Sequence, residues 1–77
     1  HKNLLHATGF YVDYSQNLKI MVMPYCKFGD LLRFIRQNQE LNLRFTEDQV
    51  LQLIVQAANG LSYVHGAAST THRDLKP

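Results

Sequence analysis

Three charged side chains in the last six residues are spaced so that they could do acid–base chemistry. Residues 72–77 read HRDLKP, so the carboxylate of Asp74 lies between the cations Arg73 and Lys76. A carboxylate in such a loop can orient a hydroxyl group and accept its proton, while the lysine can reach an anion held beside it. A solvated polar turn has the same composition, and an isolated HRD triplet favours that interpretation. The rest of the chain therefore decides between the two.

Two helices are predicted upstream of this segment. The longer one begins at Thr46, because Thr46 and Gln49 match the capping-box pattern, and Gly66 is predicted to end it. Its apolar residues recur with a period of 3.6 over about five turns and predict a face that packs against something large. They are Val50, Leu53, Ile54, Ala57, Ala58, Leu61, Val64 and His65. A shorter helix should begin after Asp30, a good N-cap, and end near Asn38.

Two strands are predicted in the first third of the chain. Aromatic and β-branched residues within residues 4–14 and a compact apolar run at residues 18–25 favour strands joined by a turn at 13–17. Pro24 should end the second strand, because proline has no N–H to donate to a neighbouring strand. The order of two strands, a connection, two helices and a polar loop places the chain in the α+β class.

Length and composition limit the kind of protein. With 77 residues, of which 45% are hydrophobic and 18% charged, we expect an ordered slice of a larger domain rather than a disordered tail. The net charge of +2 comes from scattered residues, so no nucleic acid and no anionic membrane surface is predicted as a partner. No run approaches the ~18 apolar residues of a membrane helix, and no secretory signal is recognisable.

The single cysteine, Cys26, rules out an internal disulfide. Short chains from oxidising compartments usually carry several cysteines, so we expect a cytoplasmic, reducing setting. A membrane-anchored receptor as the larger protein stays open. Neither Cys26 nor the four histidines show metal-ligand spacing, and no metal site is predicted within the chain.

Five motifs in one order resemble the catalytic domain of eukaryotic protein kinases. Residues 72–77 are similar to its catalytic loop, and residues 58–65, ANGLSYVH, to the end of the helix before that loop. Residues 1–5, HKNLL, resemble the entry to its fourth strand, and residues 21–26, MVMPYC, its fifth strand and hinge. Residues 28–32, FGDLL, resemble the start of the next helix. The resemblance implies a fragment of the bilobal fold: residues 1–23 end the N-lobe, 24–29 form the hinge and 30–77 begin the C-lobe.

The resemblance also implies roles for the loop residues. Asp74 corresponds to the aspartate that aligns the attacking hydroxyl, and Lys76 to the lysine that steadies the transferring phosphoryl group. Arg73 corresponds to the arginine that pairs with a phosphorylated activation loop. His72 is expected to have a structural role.

The resemblance assigns the nucleotide to the hinge. Met23 corresponds to the gatekeeper, and adenine would bind the carbonyl of Pro24 and the N–H of Cys26. Proline keeps its carbonyl, so its presence there is compatible with nucleotide binding. Asp30 corresponds to the acidic residue that binds the ribose hydroxyls, in addition to capping its helix. ATP and Mg²⁺ are the implied cofactors and a protein is the implied substrate, with the magnesium ligands outside this chain.

The chain departs from the kinase pattern in several places. Ala7 stands where a large aliphatic residue is usual, and residues 67–71 are longer and more polar than the usual approach to the loop. The glycine-rich loop, the strand-three lysine, the helix-C glutamate, the metal-binding asparagine and the Asp-Phe-Gly motif are not among these residues. We therefore expect the chain alone to be inactive.

Three classes of function stay open at this point. The first is a transferase that moves the terminal phosphate of ATP to protein Ser or Thr hydroxyls, which the lysine at position 76 favours. The hinge and the following helix instead resemble those of receptor-type tyrosine kinases, so tyrosine or dual specificity is the variant of this class. The others are a pseudokinase acting as a scaffold and an unrelated small helical interaction domain.

Overall fold

The computed structural model describes residues 1–77 as two strands followed by two helices. The strands are β1 (Gly9–Asp13) and β2 (Leu18–Val22), and the helices are α1 (Leu31–Glu40) and α2 (Glu47–Gly66). The α+β class and the order of elements predicted from the sequence are confirmed. Neither helix combines the length and the apolar character that crossing a membrane requires.

The two strands form an antiparallel hairpin. Gly9 pairs with Val22, Tyr11 with Ile20 and Asp13 with Leu18. The carboxylate of Asp13 closes the turn by accepting hydrogen bonds from the hydroxyl and the N–H of Ser15, at 2.6 and 3.0 Å. The bond from the Ser15 hydroxyl, assisted by that from the N–H of Gln16, lowers the pKa of Asp13 below its usual value. The predicted turn at 13–17 is therefore confirmed.

The first strand is shorter than the segment predicted to contain it, whereas the second ends where the sequence predicted. The first was expected within residues 4–14, but the chain before Gly9 makes a turn closed by a 3.0 Å hydrogen bond from the N–H of Leu4 to the carbonyl of His1. The second ends at Val22, just before Met23 and Pro24, as a proline that cannot donate a hydrogen bond requires.

Helix α1 is held at its beginning by Asp30. The Asp30 carboxylate accepts a 2.8 Å hydrogen bond from the N–H of Arg33, which satisfies one of the free donors of the first turn. The helix ends at Glu40, two residues after the predicted end at Asn38. The N–H of Leu41 still bonds to the carbonyl of Gln37, so the last turn is closed beyond the expected limit.

Helix α2 begins with the predicted capping box. The Thr46 hydroxyl accepts from the N–H of Gln49 at 3.2 Å, and the Gln49 side chain accepts from the N–H of Thr46 at 3.0 Å. The prediction that Gly66 ends the helix is confirmed, because Gly66 is its last helical residue, although neither Gly66 nor Ala67 has a positive φ. The positive φ falls on Ser69 instead, after the N–H of Ala68 has bonded to the carbonyl of Tyr63.

The chain does not enclose a core of its own. Gly60 is its single buried residue, and no hydrophobic side chain is buried. Its accessible surface is 7186 Å², whereas a compact protein of this mass would expose about 4800 Å². Along the apolar stripe of α2, Val50 is 41% exposed and Ile54 is 56% exposed. The role of that stripe as core stays a prediction.

One close packing contact joins the N-terminal residues to α2. A Cβ atom placed on Gly60 would lie 3.0 Å from the carbonyl oxygen of Asn3 and 3.5 Å from a methyl group of Leu4. The rings of His1 and Tyr63 meet in the same region, with their centroids 5.4 Å apart. Residues 1–5 therefore lie across α2 where the helix has no side chain.

We expect that contact to make position 60 intolerant of a side chain. In the intact protein, Gly60→Val should lower the free energy of unfolding by about 1 to 3 kcal/mol, because the new side chain meets backbone atoms of Asn3. Gly66→Val is the matched control, since nothing lies within 4 Å of a Cβ at that position of the same helix. Denaturant unfolding measures both, and equal losses for the two variants would contradict the contact.

Candidate active site

The charged residues of the C-terminal segment contact one another directly. The Lys76 Nζ atom lies 3.2 Å from the Asp74 Oδ2 atom, and the side chains of both residues are more than 70% exposed. An exposed ion pair of this kind contributes little to stability, about 0–1 kcal/mol. The pair instead places a cation beside a carboxylate that is open to solvent. Such an arrangement can hold a hydroxyl and an anion next to each other.

His72 and Arg73 shape the backbone that carries Asp74. The N–H of Asp74 donates a 3.1 Å hydrogen bond to the Nδ1 atom of His72. That bond places the proton of a neutral imidazole on Nε2. Arg73 between them has φ +69°, a conformation that costs a non-glycine residue some backbone strain. His72 therefore contacts the backbone of the loop, and its predicted structural role stays a prediction.

The connection between β2 and α1 leaves two backbone groups free. No backbone N–H bonds to the Pro24 carbonyl, which has only a 4.0 Å contact with the thiol of Cys26, and the Cys26 N–H has no partner within the chain. The Cys26 carbonyl is used, because it accepts from the N–H of Gly29 at 3.0 Å. One acceptor and one donor, two residues apart and exposed, remain available at this edge.

Asp30 lies at the end of this connection and has one oxygen to spare. Its Oδ1 atom caps α1, while its Oδ2 atom has no hydrogen bond within the chain. Met23, at the other end, is 40% exposed and lies outside both strand and helix. The connection thus presents Met23, the Pro24 carbonyl, the Cys26 N–H and an Asp30 oxygen in sequence.

The predicted site residues form two groups that no hydrogen bond or ion pair connects. One is the loop group of Arg73, Asp74 and Lys76, and the other is the hinge group of Met23, Pro24, Cys26 and Asp30. No three His, Cys, Asp or Glu side chains are placed to hold a metal ion. The assignment of both groups to one active site stays a prediction.

The contact between residues 1–5 and α2 was not predicted from the sequence. Asn3 lies in that contact, and its Oδ1 atom is buried near Gly60 without a hydrogen-bond partner. The feature of the sequence that could have indicated this contact is Gly60. A glycine inside a helix costs about 1 kcal/mol relative to alanine, so its presence there indicates a close approach of another backbone.

A family model assigns the whole chain to one class. The model for protein tyrosine and serine/threonine kinase matches residues 1–77. The chain belongs to this protein kinase family and is a part of a kinase domain. No solved structure matches it.

Individual kinases show the same relationship along almost the entire chain. Serine/threonine-protein kinase Nek5 of Homo sapiens is 35% identical over 77 residues, covering 99% of this chain and 10% of the relative. Wee1-like protein kinase 1-A of Xenopus laevis is 32% identical over 73 residues, covering 94% of this chain and 13% of the relative. Aurora kinase of Schizosaccharomyces pombe is 32% identical over 77 residues, covering 100% of this chain and 20% of the relative. The chain thus spans a fifth or less of each of these proteins.

The cap on α1 can be tested by its effect on stability. In the intact protein, Asp30→Ala removes the acceptor for the Arg33 N–H and should lower the free energy of unfolding by about 0.5 to 2 kcal/mol. Asp30→Ser is the matched control. Serine also accepts that bond, so this variant should have nearly the same free energy of unfolding as the unchanged protein. Chemical denaturation distinguishes the two. An unchanged Asp30→Ala variant would mean that the cap does not hold the helix.

Proposed function

We propose that the protein containing this chain transfers the terminal phosphate of ATP to serine or threonine hydroxyls of a protein substrate. The observation that carries the proposal is the exposed pair of Asp74 and Lys76 at 3.2 Å within an HRDLKP segment. Membership in the kinase family supports it over a chance polar turn. An intracellular setting is part of the proposal, in keeping with the free, exposed thiol of Cys26.

Asp74 and Lys76 have separate roles at the reacting hydroxyl. Asp74 accepts a hydrogen bond from the substrate hydroxyl and aligns it, because phosphoryl transfer depends mostly on positioning and on electrostatic stabilisation. Lys76 places its positive charge where the transferring group carries negative charge. Arg73 is assigned to a phosphorylated activation loop, whose phosphate a guanidinium can bind with two hydrogen bonds. The Asp74–Lys76 pair keeps the carboxylate and the cation together before substrate arrives.

The hinge residues fit the nucleotide in this proposal. Adenine has a donor and an acceptor on neighbouring atoms. They match the carbonyl of Pro24, to which no backbone N–H bonds, and the unpaired N–H of Cys26. The Asp30 Oδ2 atom is free for a ribose hydroxyl while Oδ1 caps α1. Met23 would line the back of the adenine site. ATP supplies the phosphoryl group, and the Mg²⁺ that accompanies it would be bound by residues outside this chain.

Specificity for Ser and Thr rests on the loop after the aspartate. A short Ser or Thr side chain brings the substrate backbone close to Asp74, whereas a tyrosine ring holds it several ångströms further out, so this loop should differ between the classes. The relative Nek5 is named a serine/threonine-protein kinase, which agrees with this choice. The matching family model includes both classes, and tyrosine or dual specificity is the alternative.

Replacing Asp74 tests the catalytic assignment. In the intact protein, Asp74→Asn should lower kcat by about 10²-fold or more, because an essential positioning group is lost. ATP affinity should change little, since Asp74 contacts neither adenine nor ribose in this proposal. Steady-state kinetics and nucleotide titration measure the two effects. A variant with more than about a tenth of normal turnover would show that Asp74 does not have this role.

Analysis of the product tests the choice of hydroxyl. The intact protein is incubated with ATP and a mixed peptide library, and phosphoserine and phosphothreonine are separated from phosphotyrosine. We expect mainly phosphoserine and phosphothreonine, because Lys76 follows Asp74 by two residues. A product that is mostly phosphotyrosine would overturn the specificity and leave the kinase activity established. The absence of any phosphorylated product, with ATP bound, would favour the pseudokinase alternative.

A further inference from the structure

Two arginines of α1 border one shallow surface depression. Arg33 and Arg36 are three residues apart, a spacing that puts side chains on the same side of a helix. They line the depression together with Gly29, Asp30, Gln37 and Glu40. Asp30 is the residue proposed above to bind ribose, so the depression lies beside the proposed nucleotide site.

Neither arginine is neutralised within the chain. The ion pair between Lys76 and Asp74 is the only one present, and it lies in the C-terminal segment. Asp30 does not pair with the guanidinium of Arg33, because its bonded oxygen accepts from the backbone N–H of that residue. Glu40 is the other carboxylate of the depression, and it lies beyond ion-pair distance of both arginines. Two free guanidinium groups therefore remain on this face.

Gly29 allows the stem of Arg33 to lie close to the backbone. Gly29 has φ +80°, and the Cδ atom of Arg33 lies 2.9 Å from the position that a Cβ on Gly29 would take. Any other residue at position 29 would push the arginine stem away. The glycine thus lets the guanidinium of Arg33 stay over the turn that precedes α1.

We propose that Arg33 and Arg36 bind carboxylate side chains of the protein substrate, so that the kinase prefers an acidic segment near the phosphorylated residue. This inference rests on the proposed function and adds the substrate class. The two guanidinium groups support it, because neither has an ion-pair partner within the chain and a guanidinium binds a carboxylate in a planar, two-bonded geometry that neutral residues cannot reproduce. Because the depression includes Asp30, a bound acidic segment would lie at the edge of the proposed nucleotide site.

The effect should be moderate and sensitive to salt. Both arginines are exposed, and exposed pairs of opposite charge are weak and screened by ions. We expect a lower KM for acidic peptides rather than a higher kcat, because the contact lies away from the reacting hydroxyl. A difference of about threefold to tenfold in KM is the expected size for two such pairs.

Paired peptides provide the test with the intact protein. Each pair has the same Ser or Thr acceptor and differs by Glu or Gln at one scanned position. We expect a lower KM for the Glu peptide at one position or more and a loss of that preference in the Arg33→Gln and Arg36→Gln double variant. Arg36→Lys in place of Arg36→Gln should restore only part of it, because it returns one of the two charges without the two-bonded geometry of a guanidinium. Lys19→Gln is the control, because it removes one charge on β2, far along the chain from α1.

The outcomes separate this inference from the function on which it rests. If Glu and Gln peptides have equal KM at every position, or if the double variant keeps the preference, the acidic-substrate inference is wrong and the kinase activity stands. If no peptide is phosphorylated, both proposals fail. Arg36→Gln alone keeps the packing of Arg33 over Gly29, and it should lose part of the preference even if the double variant is unstable.

Discussion

Side-chain hydrogen bonds to free backbone N–H groups fix where the elements of this chain begin. In a chain with one buried residue, burial of apolar surface cannot set the limits of a helix or a turn. The Asp13 carboxylate, the Asp30 carboxylate and the Thr46 hydroxyl each accept from the backbone two or three residues later. Every such bond satisfies a donor that would otherwise face water, so the local sequence can set the start of an element before any tertiary contact forms.

The same hydrogen-bonding requirement determines the backbone of the connection between β2 and α1, which contains the proposed nucleotide-binding residues. The strand must end before Pro24, which cannot donate, and the helix must begin after Asp30, which caps it. The residues between them are left without regular hydrogen bonds, apart from the bond from Gly29 to Cys26. The free carbonyl of Pro24 and the free N–H of Cys26 are a consequence of those two limits. Groups that a ligand could use are therefore produced by the same rules that end the strand and start the helix.

The features of the fold that could be predicted from the sequence are those formed by residues close together in the chain. The turn at Asp13, the cap at Asp30 and the capping box at Thr46 involve residues within three positions, and the sequence predicted all three elements. The segment predicted to contain the first strand began too early, at residue 4. Residues 1–5 instead make a turn and pack across α2 at Gly60, more than fifty positions away. The end of α2 lies at Gly66, as predicted, and the N–H groups of Ala68 and Thr70 close the chain after it by bonding to the carbonyls of Tyr63 and Val64.

In the candidate site too, the contact between residues close in the sequence could be predicted, whereas the arrangement of distant segments could not. The motif HRDLKP identified Asp74 and Lys76, and the structure places them in contact, because two residues are a short enough separation for local geometry to decide. The distance from this pair to the hinge cannot be read from either segment. About fifty residues separate them, and α2, whose apolar stripe is only partly covered, lies between them in the sequence. In the proposed function, aligning a hydroxyl on Asp74 with a nucleotide at Cys26 would require that stripe to be packed in one position, because a small misplacement of reacting groups lowers a positioning effect steeply. The proposed chemistry thus rests on the residues of two short segments, whereas its precision would depend on the packing of α2, to which no catalytic role is assigned.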